Sequence, residues 1–115
     1  MRLRITLLAV ASSFALALSA STPAYAVAAE GSFLYGYTDQ GERMGGTLDN
    51  PTLGQCYNIP LVSTDYVFGP NNTTDAIADV YEELGCEGDP KATLASEETR
   101  PDEFTFRSVM FRATP

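Results

Sequence analysis

Tyr37-Thr38-Asp39-Gln40-Gly41, followed by Gly45 and then Thr47-Leu48, and Tyr81-Glu82-Glu83-Leu84-Gly85, followed by Gly88 and then Thr93-Leu94, are two versions of one pattern. Each copy reads Y-x-[DE]-x-G, a short interval, a glycine, then Thr-Leu, and the two tyrosines stand 44 positions apart. A period of this length means one supersecondary unit used twice. Physically, the pattern predicts a strand that ends at the tyrosine and a tight turn in which glycine takes a positive φ. A second glycine then lets the chain fold back over the aromatic ring.

Outward from the repeat, turn formers recur every eight to twelve residues: Gly45-Gly46, Asn50-Pro51, Gly69-Pro70-Asn71-Asn72, Gly85, Gly88-Asp89-Pro90 and Arg100-Pro101-Asp102. Such punctuation predicts short strands in a sandwich or barrel. Between the turns, alternation puts Phe33, Tyr35 and Tyr37 on one face of a strand over Ser32 to Tyr37. A second strand over Phe104 to Phe111 carries Phe104, Phe106, Ser108 and Met110 on one face, with Val109 and Phe111 on the other. Weaker strands are expected at Gln55 to Ile59, Asp65 to Phe68 and Lys91 to Leu94, and a loose tail at Arg112 to Pro115. The segment from Asp75 to Leu84 divides the local rules. Ile77, Val80, Tyr81 and Leu84 fit helical spacing, with Thr73 or Thr74 as cap and Gly85 as stop. Read as a strand, the same segment places Ala76, Ala78 and Val80 on one face and Ile77 and Tyr81 on the other.

The repeated units resemble the Greek-key half-motifs of βγ-crystallin-like proteins. Val80-Tyr81, Gly85-Cys86-Glu87-Gly88 and the closing Phe106-Arg107-Ser108-Val109-Met110-Phe111 make the second half similar to small secreted bacterial proteins of that type. The resemblance implies an all-β fold, a single Greek-key β-sandwich, and makes the segment from Asp75 to Tyr81 a strand. Many crystallin-like modules bind calcium through paired Asn/Asp residues ahead of a Ser/Thr-Ser step. Phe104-Thr105-Phe106-Arg107 precedes Ser108 here, so that motif is absent, and Asn71-Asn72-Thr73-Thr74-Asp75 comes closest. Calcium takes six to eight oxygens; no ligand set for it is predicted, and no cofactor.

The N-terminal residues carry an address. Arg2 and Arg4 precede an apolar run from Ile5 to Ala20, and Ala24-Tyr25-Ala26 follows. This order predicts a secretory signal over residues 1–26, cleaved after Ala26, with one domain over 27–115. The run of 16 residues is shorter than the roughly 20 that span a bilayer. Removing 26 from 115 residues leaves 89, few enough for the core to be marginal and for a covalent staple to matter. Cys56 and Cys86 are the only cysteines, and an exported chain with an even count argues for a disulfide between them. The competing readings are a metal site or a catalytic thiol, but the chain has no histidine to complete a zinc site or to serve a thiol as base.

Without Arg2 and Arg4, five basic residues face fifteen acidic ones, a net charge of −10. That charge repels phosphate backbones and anionic lipid, so nucleic-acid binding and, after cleavage, membrane association are not expected. The adjacent acids Glu82/Glu83, Glu97/Glu98 and Asp102/Glu103 point to opposite faces of any strand and sit in no apolar setting, which reads as solvated surface. P-loop and dinucleotide-binding glycine patterns are absent. Asn71 and Asn72 head glycosylation-type sequons, for which a capped turn is the better reading. Tyr35, Tyr37, Tyr57, Tyr66 and Tyr81 are candidates for an aromatic binding patch or for core. The expected function is a secreted, extracellular, non-enzymatic structural or binding module whose partner is an unknown protein or none. The alternatives are a secreted protease inhibitor or killer-toxin-like antimicrobial protein, which would present Phe68 to Asp75 as a rigid exposed loop, and a divalent-cation-binding module.

Overall fold

The structure, a computed structural model, describes residues 27–60 and 65–115. The expected signal segment lies outside the described residues. Eight strands follow in order: β1 (Ser32–Asp39), β2 (Glu42–Asp49), β3 (Cys56–Asn58), β4 (Val67–Asn72), β5 (Ile77–Tyr81), β6 (Ala92–Leu94), β7 (Thr105–Phe106) and β8 (Ser108–Arg112). They form two antiparallel four-stranded sheets, one ordered β2-β1-β4-β7 and the other β3-β8-β5-β6.

The repeat is visible in the hairpins. β1 and β2 pair along all eight positions, from Ser32 opposite Asp49 to Asp39 opposite Glu42. Their turn is Gln40-Gly41 with φ of 52° and 82°, the doubly positive backbone that matches strand twist in a two-residue hairpin. In the second copy, Gly85 and Cys86 take φ of 79° and 53° in a 3-10 turn over Leu84–Cys86, and the chain then returns as β6.

The segment after Asp75 is a strand over Ile77–Tyr81, central in its sheet between β6 and β8. Ala76, Ala78 and Val80 face the core at 2%, 0% and 0% exposure, the pattern of the strand alternative. Helical spacing loses because β5 has both lateral hydrogen-bonding edges filled, by Ala92–Leu94 and by Ser108–Arg112.

Four expectations are corrected. Gly45-Gly46 is no turn; both glycines lie inside β2, and Gly46 stands opposite Tyr35, whose ring occupies the space a Cβ would need. Gly69-Pro70-Asn71-Asn72 belongs to β4. Its turn formers produce a bulge instead, with φ +59° at Gly69 and a register shift against β1 between Leu34 and Gly36. The stretch from Phe104 to Phe111 is two strands in different sheets, broken at Arg107, so Phe106, Val109 and Phe111 all reach the core despite falling on opposite faces of one ideal strand. The tail is anchored where it begins: Arg112 is the last residue of β8 and its Nε lies 2.8 Å from Oδ2 of Asp79.

The core lies between the sheets. Phe33 packs edge-to-face on Phe106 of its own sheet, with centroids 6.0 Å apart, and on Phe111 of the facing sheet at 5.3 Å. Val67, Ala78, Val80, Leu94 and Val109 complete it. Cys56 and Cys86 form the expected disulfide, with Cα atoms 5.9 Å apart. It ties β3, a three-residue edge strand, to the turn that follows β5.

Candidate functional site

Alternation along β1 sends Phe33, Tyr35, Tyr37 and Asp39 to one face. Phe33 lies fully inside, while Tyr35 and Tyr37 continue the same face, partly buried and packed against the core. There lies a groove of about 580 Å³ lined by Tyr35, Tyr37, Thr38, Asp39, Gly46, Ile59, Pro60, Asp65, Tyr66 and Val67. The volume falls within the range of small-molecule sites. Tyr35 and Tyr37 have centroids 6.3 Å apart with planes tilted by 43°, giving two aromatic faces on one wall. Burial, and to a smaller degree Tyr37, pushes the Tyr35 phenol above its ordinary value, so it remains a neutral hydroxyl at physiological pH. Tyr66 carries the Arg107 guanidinium over its ring at 4.1 Å. Its hydroxyl donates to the Glu82 carboxylate, which also accepts from Lys91, and these contacts, Lys91 foremost, hold Glu82 below the usual carboxylate range.

Of the five candidate tyrosines, three meet in this groove. Tyr57 instead packs on Phe111 at 6.0 Å while its hydroxyl accepts from the Thr52 amide, and Tyr81 is buried in β5. Asp39 and Asp65 were not singled out by sequence. For Asp39 the signal was present, since period two continues from Tyr35 and Tyr37 directly to it. Asp65 arrives through the fold alone.

The stretch from Phe68 to Asp75 cannot serve as an exposed inhibitory loop. It is β4 and the turn after it, interior to its sheet, with Pro70, Asn72 and Thr74 buried. Several of its side-chain polar atoms are also committed. Asn72 Oδ1 accepts from the Thr74 amide and hydroxyl, an Asx turn of the capped kind expected. Asn72 Nδ2 donates to the carbonyls of Ala76 and Leu94, and Oδ1 of Asp75 accepts from the Glu30 amide. With its side chain fully buried, Asn72 has no room for a glycan. No group of three or more potential metal-ligating side chains occurs among the described residues.

Four of the six paired acids form ion pairs: Glu82 with Lys91, Glu83 with Arg107, Glu98 with Arg100 and Asp102 with Arg43. Cys56 and Cys86, joined in the disulfide, offer no thiolate. Ser108 is structural: its buried hydroxyl donates to the Glu83 carbonyl at 2.5 Å and accepts from the Cys86 amide at 3.0 Å, clasping the turn of the second repeat to β8. Comparison with protein-family models, curated proteins and solved structures finds no match to this chain.

Proposed function

We propose that this chain is an exported, non-enzymatic extracellular module built from two Greek keys of the βγ-crystallin type. One observation carries the reading. If β1 to β4 are one unit and β5 to β8 the other, each sheet contains three strands of one unit and one donated by its counterpart: β2-β1-β4 with β7, and β6-β5-β8 with β3. Third strands are exchanged in both directions, which is what two intertwined Greek keys require. Export is supported by the charge and apolar pattern of residues 1–26 and by a disulfide, which persists in oxidising compartments. The non-enzymatic reading is supported by Glu82, Glu83, Glu98 and Asp102, each engaged in a surface ion pair, and by Cys56 and Cys86, joined in a disulfide.

The test has two parts. Intact mass of the secreted protein should correspond to a chain starting at Val27 and should rise by two hydrogens on reduction. Nuclear Overhauser contacts should link Val67 to Phe106 and Tyr57 to Val109, the pairings that join each donated strand to its host. Retained residues 1–26, free thiols, or missing contacts at either pairing would overturn the reading.

A further inference from the structure

We propose that the groove at the mouth of the sandwich binds a small organic cation bearing amine N–H groups, held against the Tyr35 and Tyr37 rings and hydrogen-bonded by Asp39 and Asp65. The argument begins with charge. Beyond residue 26 the chain has five basic side chains, and each already faces a carboxylate of its own within 2.7 to 3.5 Å. Ten of the fifteen carboxylates form no ion pair among the described residues, and of these Asp39 and Asp65 line the groove, where their charge is open to a cation from outside.

Shape and surface chemistry select the kind of cation. The groove offers two tilted phenol rings to a positive charge, and the electron-rich faces of such rings attract it. The lining already shows this preference, since Arg107 stacks on Tyr66. Among the described residues the lining itself holds no lysine or arginine, and its two carboxylates, Asp39 and Asp65, disfavour anionic ligands. A bare divalent ion would need six or more oxygens, beyond what two carboxylates supply, whereas an amine uses its N–H groups on the carboxylates and its methylenes on the rings. The inference is independent of export and strand exchange, and its failure would leave both intact.

The experiment titrates the secreted protein with spermidine at low ionic strength and follows it by NMR. Ring resonances of Tyr35, Tyr37 and Tyr66 should shift saturably. Asp39→Asn/Asp65→Asn should weaken binding at least tenfold without lowering the melting temperature, because both residues are exposed. Glu30→Gln/Glu97→Gln, which removes the same charge near the start of β1 and so away from Asp39 at its far end, should change affinity less than twofold. Three results would overturn the proposal: no saturable shift, equal weakening in both double variants, or equal binding of neutral glucose. Equal weakening would mean diffuse attraction to an acidic surface.

Discussion

Replacing both cysteines, as Cys56→Ala/Cys86→Ala, tests the claim that so small a core relies on its staple. The bridge closes a loop across a sequence separation of 30, for which lost chain entropy corresponds to roughly 3.5 kcal/mol. Against the ~5–10 kcal/mol typical of a domain this size, the loss is a large fraction of the whole. At ~4–8 °C for each kcal/mol, the melting temperature should fall by about 15–25 °C. Structure also says where the loss appears first. β3 has three residues at a sheet edge, paired only to β8, and beyond the disulfide it is held by the Asn58 Oδ1 contact with the Gly85 amide. Guanidinium unfolding followed by circular dichroism measures the total, and hydrogen exchange at Tyr57 and Asn58 measures the local release. The slope with denaturant should increase, because an uncross-linked chain exposes more surface when it unfolds. A loss below about 1 kcal/mol with an unchanged slope would refute the reasoning.

Other perturbations isolate other links. Phe33→Ala removes the ring shared by both sheets and should cost about 3–5 kcal/mol, leaving much of the protein unfolded at 37 °C by near-ultraviolet dichroism. Ser108→Ala deletes both contacts that clasp the second turn; a loss of roughly 2 kcal/mol in urea unfolding is expected, with Ser108→Cys failing to restore it. Gly31→Ala places a Cβ 2.5 Å from the Thr73 carbonyl oxygen at φ +110°, where the obstacle is backbone, and should lower stability by about 2–3 kcal/mol, whereas Gly41→Ala, open on all sides, should cost less. Glu82 and Glu98 are held below the usual carboxylate range, Glu82 chiefly by Lys91 and Glu98 chiefly by the Ala95 amide. A depressed folded value stabilises above the unfolded pKa of about 4.5 and is lost as pH falls through the folded one. Melting temperature should therefore drop on acidification below that value, and Glu82→Gln/Glu98→Gln should flatten the drop relative to wild type.

Much of the architecture was legible in the chain because strands announce themselves by alternation and glycines by the turns they permit. Phe33, Tyr35 and Tyr37 mark one face of β1, the glycines of the Y-x-[DE]-x-G copies mark two positive-φ turns, and an even pair of cysteines marks the disulfide. These are local signals, each read from a few neighbours, and each follows from backbone geometry or thiol chemistry.

What required tertiary structure was everything set by a partner distant in sequence. Gly45-Gly46 and Gly69-Pro70 carry the residues of turns, yet one pair accommodates the Tyr35 ring across a hairpin and the other forms a bulge against β1. Ile77–Tyr81 has helical spacing, yet two waiting strand edges make it the centre of a sheet. The groove gathers Tyr35 of β1, Ile59 and Pro60 after β3, and Asp65 before β4, which no local pattern places together. Local periodicity reports which faces a segment can bury; which sheet receives them depends on hydrogen-bonding edges and apolar surfaces that other segments supply.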